Sequence, residues 1–287
     1  MLLGMLQWLV TIARPDLCTV VSSLNRFGAC PRENHLDLAI CMFGFIKTTI
    51  NEQIVIDHCP MNFDRKDPDY KKLIPDFVKD YPDAKEKMDP GIPELFGPSL
   101  ETTILVDLDH AHNHKTRRSL TGLLAFVGST PVMWLSKRQG SVASSTYAAE
   151  FSALLTVTEE AQSLRYMLRC LGCNIPSDGS CPTKIFGDNL SLIQNAQNPA
   201  ADLSKKHPVR LENMLERLNI LQIQVPIVSQ KIIRLKIPLI HRDFCVATGE
   251  RSSSYKSTAR WLGIQMAFRV VTSSKSSTLA STISGMI

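Results

Sequence analysis

The chain lacks the features that would place it in a membrane, in a disulfide scaffold or among strongly basic proteins. Nowhere in its 287 residues is there the run of ~20 apolar residues that a membrane-spanning helix needs, and the longest uncharged stretch near the start, 1–13, ends at Arg14. That stretch has neither a basic leader nor a small-residue cleavage site, so no secretory signal is expected. Eight cysteines are too dilute to staple the fold, and an intracellular, reducing compartment is expected, cytoplasm or nucleus being left open. Acid is missing from one region only: residues 251–287 carry Arg251, Lys256, Arg260, Arg269 and Lys275 without an Asp or Glu, so the formal charge of +5 resides in that tail and the rest is neutral. A global basic field that would hold nucleic acid by itself is excluded, and any such binding must come from a local site. No glycine-rich phosphate loop and no convincing Ser–His–Asp spacing occur. Hydrophobic residues at 44% and charged residues at 21% are globular proportions.

Four regions can be distinguished. Residues 1–59 hold three helical patterns: Leu2, Leu3, Leu6, Leu9, Val10 and Ile12, ended by Arg14-Pro15-Asp16; Leu17, Val20, Val21, Leu24 and Phe27; and Leu36 to Ile46, followed by a strand-like Gln53-Ile-Val-Ile-Asp57. About sixty residues bury too little core to be comfortable alone, so this reads as a remnant of a larger helical domain. Residues 60–98 hold seven of the sixteen prolines among alternating charges, which predicts a linker with one short helix. From 99 to 250 the pattern predicts strands at 103–107, 120–127 and 132–135, with a turn at Gly128-Ser-Thr-Pro131. A long helix follows, capped by Ser144-Ser145-Thr146 and closed at Gly172; then come a strand at 183–187 and a helix at 189–196. This β-β-β-α-β-α order is a mixed α/β layer. Residues 251–287, with 14 Ser and Thr, are expected to be poorly ordered.

Three acids stand out in that layout. Asp107 ends the first strand, Glu150 lies on the apolar stripe of the long helix four residues before Leu154, and Asp188 follows the fourth strand. A carboxylate on a core-facing stripe is costly to bury without neutralisation. If the first and fourth strands are neighbours, the three acids converge, and a hard divalent cation relieves their repulsion. The same residues also suit structural roles: Asp107 and Asp109 as turn formers, Glu150 as a first-turn acid favoured by the helix dipole, and Asp188 as a cap.

The motifs Val106-Asp107-Leu-Asp109-His-Ala, Thr116-Arg-Arg-Ser119-Leu-Thr-Gly122, Trp134-Leu-Ser-Lys137-Arg-Gln139, Ser144-Ser-Thr-Tyr-Ala-Ala-Glu150-Phe and Phe186-Gly-Asp188-Asn189 occur in this order. Together they resemble the ribonuclease H domain at the end of Ty1/copia-type retrotransposon polyproteins. Gly4-Met-Leu-Gln-Trp8, Thr11-Ile-Ala-Arg14-Pro15-Asp16, Arg26-Phe27 and Pro31-Arg32-Glu-Asn-His35-Leu resemble the last part of the reverse transcriptase of the same polyproteins. The resemblance covers residues 1–217. It implies an RNase H-like mixed sheet with flanking helices, preceded by a helical remnant of a reverse transcriptase. The implied activity is Mg²⁺-dependent cleavage of the RNA strand of an RNA–DNA hybrid, with two ions, for which Mn²⁺ can substitute, held by Asp107, Glu150 and Asp188. Asp109 is then a secondary acid, and Lys206 and His207 belong to a basic element that contacts phosphate. A reverse transcriptase chain is an implied partner; a membrane and a small-molecule substrate are not.

The chain departs from the family in two places. The fourth acid expected near the end, after a His, is absent from His241-Arg-Asp243-Phe-Cys-Val246, where Val246 takes its place and Asp243 is the nearest substitute. No Tyr-x-Asp-Asp motif exists, so this chain is not a polymerase on its own. The alternative is therefore an inactive RNase H-like module, a decayed element fragment that binds nucleic acid or a partner. Arg117, Arg118, Lys137 and Arg138 flank the strands and could grip phosphates or form a solvated rim. Cys170, Cys173 and Cys181 lack the fourth ligand of a structural zinc site. His110, His112 and His114 suit a solvated loop better than a metal trap. Trp134 is expected in the core.

Overall fold

The computed structural model describes residues 1–60, 86, 88–110, 116–178 and 180–187. The expected linker helix, the helix at 189–196 and the tail lie outside them. Among the described residues, contacts divide the chain into two compact units, one containing residues 1–56 with 134–137 and the other 57–133 with 138–187.

The first unit is helical. Helix α1 (Leu2–Ile12) is followed by a 3₁₀ turn at Pro15–Leu17, then α2 (Cys18–Asn25) and α3 (Glu33–Thr48). Proline at the first position of the 3₁₀ turn loses no useful N–H. Asp16 accepts from the Arg14 guanidinium at 2.7 Å, and the same guanidinium donates to Thr49 Oγ1 at 2.7 Å, tying the turn to the end of α3. Leu6, Val10, Leu17, Val21, Leu24, Ala39 and Met42 are buried together. The half-buried Trp134 packs on this cluster and donates its indole N–H to the Val10 carbonyl at 2.7 Å, in accord with a core role. Gln53–Asp57 is not a strand. Its β-branched run finds no ladder; instead Asp57 lies against the turn at 128–130, its carbonyl accepting from Ser129 N–H at 3.1 Å and its own N–H donating to Thr130 Oγ1 at 2.7 Å.

Beyond the helices lies a four-stranded sheet of β1 (Thr102–Asp109), β2 (Leu120–Val127), β3 (Thr130–Arg138) and β4 (Lys184–Phe186), in the order β3-β2-β1-β4. β1 runs antiparallel to β2, from Thr102 opposite Val127 to Asp109 opposite Leu120, and parallel to β4, with Leu105 opposite Phe186. Helix α4 (Thr146–Cys170) makes the crossover that a parallel partner requires. Ser145 caps it, Oγ accepting from Ala148 N–H at 3.2 Å. Gly172 closes it at φ +77°, with Gly172 N–H on the Arg169 carbonyl and Cys173 N–H on the Leu168 carbonyl, the paired bonds of a Schellman motif. Phe151, Leu154, Val157, Ala161 and Leu164 of α4 are buried, as are Ile104, Leu123, Phe126, Ile185 and Phe186 of the sheet. Each large apolar side chain so buried contributes about 1.5–3 kcal/mol. This is the expected mixed α/β layer, and it fits an RNase H-like arrangement.

Candidate active site

The register places two of the sequence candidates, Asp107 and Asp109, at one end of the sheet. β1 delivers Asp107 and Asp109 at its C-terminal end, opposite Gly122 and Leu120 at the start of β2. β4 runs parallel to β1, its last residue Phe186 lying opposite Leu105. Asp107 stands two residues past Leu105, and Asp188 two residues past its partner Phe186. Asp188 itself lies outside the described residues, as do Lys206, His207 and Asp243. α4 begins at this end too: Ala149 and Ala153 bury themselves on Leu108, with Val106 packed beside them. Alanine at both positions allows the helix to sit close to the strand, and the next residue after Ala149 is Glu150.

The Asp107 side chain is 9% exposed, and one carboxylate oxygen accepts the Leu108 backbone N–H at 2.9 Å. Glu150 and Asp109 are half-buried. Their oxygen donors suit a hard divalent cation. Among the described residues, Asp107, Asp109 and Glu150 do not by themselves form a cluster of three ligand atoms within 4.8 Å; the group that does is Asp57, His58 and Cys59, which sequence reading passed over because consecutive residues rarely converge. Cys170, Cys173 and Cys181 form no such group.

Basic residues border the same end. Gln139 N–H donates to the Ser119 carbonyl at 2.9 Å, so Arg118 and Arg138, each one residue earlier, lie beside this bond. Arg117, Lys137 and Arg138 are exposed and Arg118 is half-buried. Arg117 holds φ +56° in the left-handed region, uncommon for a non-glycine residue. Gln139, which sequence reasoning did not single out, has a buried side chain bonded to two elements. The glutamine was visible inside the Ser-Lys-Arg-Gln block, but nothing local marked its partners.

The described part of the unit is thus a mixed α/β layer with Asp107 and Asp109 at the end of β1 and Glu150 in the first turns of α4. The homologues of the chain are retrovirus-related Pol polyproteins. It is 24% identical over 206 residues to the retrovirus-related Pol polyprotein from transposon RE1 of Arabidopsis thaliana, which covers 72% of this chain and 11% of that protein. It is 23% identical over 206 residues to the corresponding polyprotein from transposon RE2. The chain thus spans about a tenth of the length of these relatives. No family model matches. A solved structure of LC11-RNase H1, isolated from compost, aligns with 46% of this chain and 86% of its own at 14% identity and a TM-score of 0.33.

Proposed function

We propose that residues 99–250 form a retrotransposon-type RNase H of Ty1/copia character, cleaving the RNA strand of an RNA–DNA hybrid. Residues 1–59 are then the end of a reverse transcriptase, and 60–98 connect the two. The observation that carries the reading is the parallel β1–β4 register, which sets Asp107 and Asp188 the same number of residues beyond one cross-strand pair. The Pol homologues supply the context.

In this reading Asp107, Glu150 and Asp188 hold Mg²⁺, with Asp109 and Asp243 as secondary acids. When bound, the ions acidify a water and offset charge on the leaving oxygen. The chain's own contribution is to fix its carboxylates and to hold the hybrid's phosphates with Arg117, Arg118, Lys137, Arg138, Lys206 and His207; such contacts position without reading sequence. Because Val106 and Leu108 face α4, an ideal pleat turns Asp107 away from Ala149. A shared cation therefore requires the Glu150 side chain to reach past the end of the strand.

The test is a labelled RNA–DNA hybrid incubated with the full chain, with Mg²⁺ and with chelator. Asp107→Asn and Glu150→Gln are each expected to lower cleavage at least a hundredfold while leaving the circular dichroism spectrum unchanged. Mg²⁺-dependent cleavage retained in either variant refutes the site. Hybrid binding by the wild type without cleavage supports the inactive module.

A further inference from the structure

Gln139 is a buried polar residue at this site to which the proposed reaction assigns no role. The residue is 8% exposed, just past β3. Its Nε2 donates to Thr121 Oγ1 at 3.0 Å and to the Ala149 carbonyl at 2.9 Å, while its Oε1 has no hydrogen-bond partner among the described residues. Thr121 is the cross-strand partner of Leu108, the residue after Asp107, and Ala149 is the residue before Glu150. One amide therefore spans from β2, beside the Asp107 position, to the first turn of α4, beside the Glu150 position. The Ala149 carbonyl lies inside α4 and has a partner in the helix's own ladder, and a buried acceptor left unmatched destabilises. Stability alone does not call for an amide here.

We propose that Gln139 is a positioning residue, fixing the start of α4 against the strand end so that Glu150 and Asp107 can share a cation. This rests on the reading of those acids as a cation site. Two donors on one short arm are what the position needs; an ionised glutamate offers none, and methionine matches the length and volume without either.

The test uses the full chain carrying Gln139→Met, with four measurements: Mn²⁺ affinity by titration calorimetry, hybrid-cleavage kcat and KM, amide hydrogen exchange at residues 147–151, and Tm. Mn²⁺ affinity is expected to fall about tenfold, the scale on which supporting residues act at metal sites. kcat should fall at least tenfold with KM unchanged, and exchange at 147–151 should rise, while Tm stays within about 3 °C of wild type. Wild-type Mn²⁺ affinity in the variant overturns the proposal, as does a loss of affinity accompanied by a larger fall in Tm, which marks a merely structural role. If the wild type binds no Mn²⁺ and Asp107→Asn behaves identically, the cation site itself is wrong, and the positioning role falls with it.

Discussion

Replacing Glu86 by Gln should destabilise the sheet unit more than any surface change. Glu86 comes from the proline-rich segment, yet its carboxylate sits between two arginines of α4, Arg165 and Arg169, whose side chains are 2% and 3% exposed. Arg165 donates to it from Nε at 3.3 Å and from Nη2 at 3.0 Å, and Arg169 donates from Nη2. The remaining guanidinium donors reach neutral acceptors: the carbonyls of Ile175, Pro176 and Cys181 and the Thr183 hydroxyl. Removing one partner of a buried ion pair costs about 3–5 kcal/mol. The neutral acceptors survive in Glu86→Gln, so the low end, about 3 kcal/mol, applies. For a unit of this size that is about 6–12 °C in Tm. Burial alone would raise the Glu86 pKa, but bonding to Arg169 and the charge of Arg165 outweigh it and hold the carboxyl below its usual 4.5. A depressed folded pKa means that the stabilisation is complete above about pH 4.5 and is lost as pH falls through the folded value. Thermal melts of both proteins should therefore show a Tm gap that is constant at neutral pH and closes in acid. A gap under 2 °C at pH 7, or one that widens in acid, refutes the reasoning.

Two glycines with positive φ should respond differently to alanine. At Gly128, φ +60°, a Cβ would meet the His58 carbonyl oxygen at 2.7 Å and the Asp57 oxygen at 3.0 Å, all backbone. At Gly172, φ +77°, the nearest atoms are 3.7 Å away. Gly172→Ala should cost only the left-handed penalty of about 1–2 kcal/mol, and Gly128→Ala clearly more, as measured by urea denaturation. Equal losses would contradict the close approach. Burial pushes the Cys18 thiol up to about 11, so at pH 8 a thiol reagent should label the exposed Cys30, Cys41, Cys59 and Cys170 well before Cys18, as peptide mapping by mass spectrometry would show.

What could be read ahead of the structure was local. Ser145 and Gly172 bound α4 through bonds within a few residues, so capping chemistry marks both ends. The alternation at 103–107 marks β1, and with it the place of Asp107 near that strand's end. The Gln53–Asp57 run has β-branched residues but takes no strand, its last residue bonding instead to the turn at 128–130, which composition does not reveal. Glu86 reads as one charge among many in a proline-rich stretch, because its partners are 79 and 83 residues away. Gln139 is hidden for the same reason: its two acceptors lie on different elements, one before it and one after.

The placement of β1 between β2 and β4 has a consequence for synthesis. Its antiparallel neighbour follows almost at once, whereas its parallel neighbour starts at Lys184, after the whole of α4. A nascent chain must therefore emit some eighty further residues before the central strand is covered on both sides. Until then its backbone donors and acceptors on the β4 side are open to strand addition by another chain. A chain stopped before Lys184 would keep that edge permanently, and aggregation during translation, before any failure of chemistry, would be its first defect.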